Sequence, residues 1–596
     1  MIDPIKFEVI RNALLEATEE MAIALRRSAY STNIKTRADF SCAFFDSRLR
    51  VVAQAFAQPN HLGSFVELVP RALRTYGIEQ LGPGDAILTN DPYGGGIHLN
   101  DITLISPVYA SLAAGGGVAT QNLAFPPHGP LLGYVASLAH HVDVGGGAPA
   151  SVGAFREVFQ EGVIIPPVRL VRAGQIVDDV FRLVLAQIRS KRETAGDFRA
   201  QIAANNTGAR RLSALVERMG LGPVREYIDE LIAYTERRTR AEIARLPRGV
   251  FAAEGTLDND GFTARPVTLA VRIVIDDAGV AFDLHGCDPQ RRAPVNATFA
   301  QTFSCCAYAL KFLIDPDVPT NAGFYGCVRV DAPEGTVVNC TSPAPVVGGW
   351  ETNSRLTDVI FKALAPVMPE RMPAGTKAMI CHAGFGGISP RSNEYYCFLE
   401  TLAGGFGARL HSDGPDAVQT HGQNTENAPI EETERNYPLR IARYELVDDS
   451  EGPGRRRGGL GLRRDYLFPD HGPTFTILAD RDRAGPWGLA GGLAGRRAFY
   501  ILNPGGADER ALSSKQTIEL RAGDVISYRT CGGGGIGSPR ERDPQLVLRD
   551  VRDGKVSPAR ARDVYGVALD SAALAVDASR TAELRANQRD EQTRTP

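Results

Sequence analysis

An excess of charge of one sign is missing from this chain. Lys and Arg number 66 against 69 Asp and Glu, a formal net charge of -3 over 596 residues. Nothing so balanced holds a nucleic-acid backbone or an anionic membrane by bulk charge. The arginine clusters, Arg455 to Arg457 and Arg237 to Arg245, have acidic residues nearby and read as solvated surface. No run of about eighteen uninterrupted apolar residues occurs, so no segment reads as a transmembrane helix. The first residues, Met1-Ile2-Asp3-Pro4-Ile5-Lys6-Phe7-Glu8, lack the basic and apolar regions of a signal peptide. Nine cysteines, an odd number with no CxxC pair, exclude both a disulfide framework and a thiolate zinc site. The expected location is the cytoplasm.

Nucleotide and hydrolase signatures are also missing. There is no GxxxxGK[ST], no GxSxG and no HExxH. Gly532 to Gly535 is a glycine run, but Ile536-Gly537-Ser538-Pro539 follows and no lysine is placed to reach a phosphate. Gly532, Gly534 and Gly537 spell GxGxxG, yet Pro539 argues against a helix opening there. If the reaction consumes ATP, another chain binds it.

Glycine is what the chain has in quantity, 62 residues beside 38 prolines, which points to many tight turns and close backbone approaches. The first segment is a helix, with Asp3 as N-cap, Pro4 as N1 and Phe7, Ile10, Leu14, Ala17, Met21 and Leu25 as its apolar stripe. Short strands follow to about residue 175, among them Phe40 to Phe45, Ala86 to Thr89, Ile102 to Val108 and Gly133 to Val144. Ala200 to Leu246 reads as helices broken at Gly220-Leu221-Gly222-Pro223. Strands Phe251 to Leu257, Val267 to Ile275 and Val280 to Leu284 come next, then helices Thr302 to Ile314 and Ser354 to Ala365. Strands and glycine-rich turns dominate from about residue 395.

The expected class is α+β, with mixed, largely antiparallel sheets, packed helices and no βαβ regularity. The expected organisation is an N-terminal metal-site α+β region (1–198), a helical segment (199–249), a central α+β region (250–394), a C-terminal β-rich region (395–583) and a charged, frayed tail (584–596).

Only ten histidines are present, and three lie in two short stretches. In Asn90-Asp91-Pro92-Tyr93-Gly94-Gly95-Gly96-Ile97-His98-Leu99-Asn100-Asp101, His98 and Asp101 are i and i+3. On a strand they would face opposite sides, whereas on a turn they converge and can share one Zn²⁺ or Mn²⁺. The bland alternative is a turn-stabilising hydrogen bond. The second stretch, Ala139-His140-His141-Val142-Asp143-Val144-Gly145-Gly146-Gly147, ends a strand-like run. There His140 and His141 would point to opposite faces, so one at most joins a site, and His141 would share its face with Asp143. Asp39, before the strand at Phe40, needs a partner if buried.

Together these stretches resemble the hydantoinase B/oxoprolinase family. The resemblance runs from the N-terminal helix to about Leu569. It is carried also by Arg37-Ala38-Asp39-Phe40-Ser41-Cys42, Gln160-Glu161-Gly162, Ile165-Pro166-Pro167, Asn321-Ala322-Gly323, Ala332-Pro333-Glu334-Gly335, Trp487-Gly488-Leu489-Ala490-Gly491-Gly492 and the C-terminal Gly532 to Pro539. It implies a metal-containing subunit of an ATP-dependent enzyme that opens cyclic amides or carboxylates ketones such as acetone and acetophenone. It implies a hydantoinase A-like partner that binds ATP and phosphorylates the substrate oxygen, within a hetero-oligomer. Position by position it makes Asp39, His98, Asp101 and His140 ligands of one divalent ion, zinc or manganese; beside them, His141 or Asp143 is expected to orient a ligand or move a proton. Glu400, His421 and Asn424 lie in family-like segments with at most a substrate-side role. A self-sufficient metallohydrolase and a scaffold with a structural metal are the competing readings.

The chain departs from the family at three places. Ala113 to Leu132 reads as an insertion between the histidine motifs. Trp350 stands third in Gly348-Gly349-Trp350 where the family usually has Asn, and reads either as core or as a wall for an aromatic substrate. Met379-Ile380-Cys381-His382-Ala383-Gly384 replaces an Asn-rich stretch usual in the hydrolases.

Overall fold

The computed structural model describes residues 3–111, 128–570 and 575–593. The expected insertion, Ala113 to Leu132, lies outside the described residues except for its end, which begins a strand.

Helix Pro4–Ser28 starts where its cap says. Asp3 accepts from the Ile5 and Lys6 amides, and Ile10, Leu14, Ala17, Met21 and Leu25 are buried. That stripe lies against helix Lys191–Met219, where a Cβ on Gly208 would sit 2.3 Å from the Met21 sulfur. These two helices and Leu221–Ile243 share a hydrophobic cluster with Cys42, Phe44, Val135 and Ala139. They therefore cover one face of a sheet.

That sheet contains β1 (Phe40–Asp46), β2 (Val51–Gln54), β3 (Ala86–Thr89), β4 (Asp101–Ser111), β5 (His128–His140), β6 (Val168–Arg172) and β7 (Gln175–Ile176). Their order is β2-β1-β5-β4-β3-β6-β7, with every pairing antiparallel. Its second face sends Ala43, Phe45, Ala136 and Leu138 into a core shared with Phe65, Leu68 and Leu73 of helix Pro59–Tyr76. Alternate residues of β1 and β5 thus serve two different cores. The antiparallel order brings the start of β1, the end of β5 and the start of β4 to one edge. There Phe40 pairs with Ala139 and Asp101 with His140.

Strands β8 (Gly249–Leu257), β9 (Val267–Asp276), β10 (Gly279–Asp283) and β11 (Val328–Asp331) form a second sheet, with β10 and β11 parallel. Helices Phe299–Leu313 and Gly349–Leu364 join its core. In the C-terminal part, β12 (His382–Ile388) lies between strands Tyr395–Thr401 and Thr474–Leu478. A further sheet includes Leu462–Leu467 and Val525–Arg529, and the two meet through Phe385, Phe398, Tyr466, Phe475 and Tyr528. The class is α+β with mostly antiparallel sheets. Among the described residues no helix is long and apolar enough to cross a membrane.

Two local expectations change. The run expected as a strand to Val144 ends at His140, because the His141 amide turns to the Asn100 carbonyl at 2.9 Å. The segment expected to fray from Leu584 is helical as far as Thr593. It is tied down by Arg585, which donates to the carbonyls of Arg542 and Tyr565. The Gly532 to Gly535 run is a backbone crossing: Cβ atoms on Gly532 and Gly533 would lie 1.7 and 2.1 Å from the carbonyl oxygens of Ser450 and Phe406.

The β1–β5 seam that sets the site edge is equally tight, since a Cβ on Gly133 would meet the Phe45 carbonyl oxygen at 1.9 Å. Gly133→Ala is expected to destabilise the protein by about 1–3 kcal/mol, read as a lower urea midpoint. An unchanged midpoint would show that the seam yields freely.

Candidate metal centre

The loop before β4 is built to present His98. The Asn90 side chain donates to the carbonyls of Leu99 and Val163 at 2.7 and 3.0 Å and accepts from the Ile165 amide at 2.6 Å. Gly96 packs on the Asp91 carbonyl, where a Cβ would be 2.4 Å from the oxygen, and Gly95 has φ 98°. Its glycines therefore let the loop fold onto itself. The Thr298 hydroxyl donates to the Gly96 carbonyl at 2.9 Å, and the Asp101 amide donates to the His98 carbonyl at 3.1 Å. The turn that periodicity left open is present, and His98 and Asp101 converge.

Asp101 is the hub. Its Oδ2 lies 2.7 Å from His98 Nδ1, and its Oδ1 lies 3.2 Å from His140 Nδ1 and 3.7 Å from His61 Nε2. Burial alone would push this carboxyl up. The imidazoles of His98 and His61 and the hydrogen bond from His140 outweigh it and hold the group far below the usual carboxylate range. Asp39 stands on the same edge, its carbonyl accepting from the His140 amide at 3.0 Å. Its carboxylate is 3.9 Å from His61 Nε2.

The donor chemistry fits a divalent ion. The close approach of His98 Nδ1 to Asp101 Oδ2 lacks hydrogen-bond geometry, so both atoms are buried without a hydrogen-bond partner, as are His98 Nε2, His140 Nε2 and His61 Nδ1. One ligand atom each from His98, Asp101 and His140 lies within 4.8 Å of the others. Imidazoles with carboxylates and no thiolate suit Zn²⁺ or Mn²⁺. Orphaned buried donors and acceptors at this density are costly unless something binds them.

The two residues expected beside the ligands are used elsewhere. His141 lies beyond the end of β5, with Nε2 3.0 Å from Gln201 Oε1 and its ring against Phe198. Asp143 pairs with Arg189 at 2.8 Å and accepts from the Arg189 and Gly145 amides. The alternation that would have put His141 and Asp143 on one face of the strand fails because the strand ends at His140. Glu400 pairs with Arg464 and accepts from the Tyr466 hydroxyl within the C-terminal core. His421 contacts Thr376 and Asp358, and the Asn424 amide donates to Gln58 Oε1 at 2.6 Å.

Sequence reasoning missed His61 and His382. Both line a cavity with Asp39, Asn60, His140 and Trp350. His61 comes from helix Pro59–Tyr76 and His382 from the start of β12. Each is a lone histidine with no ligand-spaced neighbour, so only tertiary contact unites them with the motif. Trp350 lines the cavity, its ring 5.9 Å from that of His61 and 6.1 Å from that of His98.

Glu161 supports the approach to this wall. Fully buried, it accepts from the Val346 and Val347 amides at 2.8 and 2.9 Å, just before helix Gly349–Leu364. Burial pushes its carboxyl up to about 8 against those two donors. A raised folded-state value contributes stability that is present below the ordinary glutamate range and lost as pH climbs through about 8. Glu161→Gln is expected to flatten the decline in melting temperature between the ordinary glutamate range and about pH 8. Parallel wild-type and variant profiles would contradict it.

The hydantoinase B/oxoprolinase family model matches residues 3–539. An uncharacterized protein of Methanocaldococcus jannaschii is 38% identical over 95% of this chain and 96% of its own. A putative D-/L-hydantoinase subunit from a Pseudomonas species is 31% identical over 98% of each. The crystal structure of the ATP-dependent caprolactamase from Pseudomonas jessenii superposes with a TM-score of 0.89 at 28% identity, covering 98% of this chain and 100% of that one. With that match across nearly its whole length, the chain belongs to the hydantoinase B/oxoprolinase family.

Proposed function

We propose that this chain is the metal-binding subunit of an ATP-dependent cytoplasmic enzyme that opens a cyclic amide of the hydantoin, lactam or oxoproline type. Its substrate is phosphorylated by a hydantoinase A-like partner. The observation that carries the reading is the buried Asp101 carboxylate ringed by His98, His140 and His61 at the edge of a cavity. Family membership supports the reaction class, and a chain without a phosphate loop suits a division of labour with an ATP-binding subunit.

Asp39, His98, Asp101 and His140 would hold one zinc or manganese ion. Such an ion, when bound, would polarise the amide oxygen and lower the pKa of a water molecule. Asp101 keeps its imidazole neighbours oriented, since each of its oxygens approaches a different ring. His61, facing both Asp39 and Asp101, is placed to accept a proton at Nε2 from a group in the cavity. His141 and Asp143 act by position. The Asn100 side chain donates to the His141 carbonyl at 2.9 Å while its carbonyl accepts the His141 amide. That clasp joins the residue before Asp101 to the residue after His140. Asp143, through Arg189, anchors the Gly145 to Gly146 turn beyond it.

His98→Ala and Asp101→Ala are expected to lower bound metal and turnover by ~10–100-fold or more while leaving a folded protein. Asp143→Asn should retain the metal. Metal analysis beside circular dichroism checks this, and loss of fold in step with activity would instead favour a structural ion. Combined with its ATPase partner, the enzyme should consume ATP only with a cyclic amide. Consumption that requires a ketone and bicarbonate would overturn the amidase reading in favour of a carboxylase.

A further inference from the structure

We propose that residues 422–427 form a gate over the metal edge, closed in this structure, that must lift before a substrate or an ion can pass. The inference rests on the metal reading above and adds the route by which the centre is reached. The cavity has about 40 Å³ of free space, room for a few water molecules but not for a cyclic amide. Among the described residues that line it, Gln423 alone is not buried. Asp39, His61, His140, Trp350, Ile380 and His382 all are. The side of the cavity that faces solvent is therefore the strap that carries Gln423.

The strap runs between two fixed ends. Before it stands His421, buried, with φ 48°, its Nε2 2.7 Å from the Thr376 hydroxyl and its ring packed on Phe361. Gly422 follows with φ 77°, and a Cβ there would lie 2.2 Å from Asn60 Oδ1. Two successive left-handed residues make the turn about which the strap pivots. At the other end Ala428 is buried, and its carbonyl accepts from the fully buried Arg464 at 3.3 Å. Helix Ile430–Asn436 begins two residues later. Between these anchors the sequence is Gly422-Gln423-Asn424-Thr425-Glu426-Asn427, without one apolar side chain. It forms neither helix nor strand. No apolar side chain has to leave a core when this segment lifts.

The contacts that hold the strap down are polar, and Gln58 is the latch. Its side chain accepts from the Asn424 amide at 2.6 Å and donates to the Thr425 hydroxyl at 2.9 Å. The Glu426 amide donates to the Arg37 carbonyl at 3.0 Å, and the Asn60 amide donates to the Gly422 carbonyl at 3.3 Å. Arg26 pairs with Glu426 at 2.9 Å on the exposed surface, where such a pair contributes little. Gln58 occupies the N-cap position of helix Pro59–Tyr76 yet caps no amide, so its side chain serves the strap instead. His61 lies in the first turn of the same helix, which makes latch and metal edge parts of one rigid element. Hydrogen bonds of this kind exchange for bonds to water at modest cost. A segment held only by them opens locally while the core stays folded. Closure also leaves Gln423 Oε1 buried without a partner, which opposes the latch and keeps the two positions close in free energy.

A gate changes the rate of passage and leaves the equilibrium alone, which separates it from a structural role. Metal-loaded protein is mixed with excess EDTA and release of the ion is followed in time. Gln58→Ala and Thr425→Val cut the latch from either side, and each is expected to speed release by ~5-fold or more with the starting metal content unchanged. Arg26→Ala removes only the exposed ion pair and should change the rate by less than ~2-fold. Hydrogen exchange on the same proteins should show the Asn424 and Glu426 amides opening far sooner than those of β4 and β5. In Gln58→Ala they should open faster still, while β4 and β5 stay protected. Unchanged release in both latch variants would overturn the inference. So would a fall in metal content in place of faster release, or strap amides as protected as those of β5. A metal-free wild type would instead sink the metal reading, and the exchange measurement would then decide the gate on its own.

Discussion

A carboxylate with no solvent access has to be compensated, and the N-terminal half of this protein is organised around that requirement at Asp101. Three imidazoles approach it from three elements: His98 from the glycine loop, His140 from the end of β5 and His61 from helix Pro59–Tyr76. The antiparallel strand order makes this possible by bringing the start of β4 and the end of β5 side by side as a direct pair. The loop glycines matter for the same reason. Without a Cβ at Gly96 the chain folds onto Asp91 and returns His98 to the carboxylate it precedes.

The second half of the chain completes the cavity. His382 and Ile380 lie at the start of β12, and Thr401 and Leu399 lie on the strand beside it. Arg37 bridges the halves. It sits just before Asp39 in sequence, and its guanidinium reaches the Leu399 carbonyl and Thr401. Gln58 does the same near the mouth, donating to Thr425 and accepting from the Asn424 amide. The C-terminal lining of the cavity and the metal edge are thus held in register by buried polar contacts as well as by the hydrophobic core.

The sequence was informative where chemistry and local geometry coincide. His98 and Asp101 stand three residues apart after a triple glycine, so a turn was enough to unite them. Helix Pro4–Ser28 was marked by a spaced apolar stripe and a clear cap, and strands β1 and β3 by short apolar runs. The choice of His140 over His141 came from family resemblance, since alternation alone left either open. The assumption that alternation continued to Asp143 failed because a backbone hydrogen bond to Asn100 ends the strand, and no side-chain pattern encodes that event. His61 and His382 carried no local signal. Each is an isolated histidine whose meaning comes from elements far apart in the chain.

One divalent ion held at the sheet edge would satisfy the buried carboxylates and imidazoles there. Anomalous diffraction from crystals of the purified, metal-loaded protein tests this directly. It predicts a single strong peak bonded by Asp39, His98, Asp101 and His140, with only nitrogen and oxygen neighbours. A peak elsewhere, for example among Asp258, Asp480 and Asp482, or none at this edge in a protein that turns over, would contradict it.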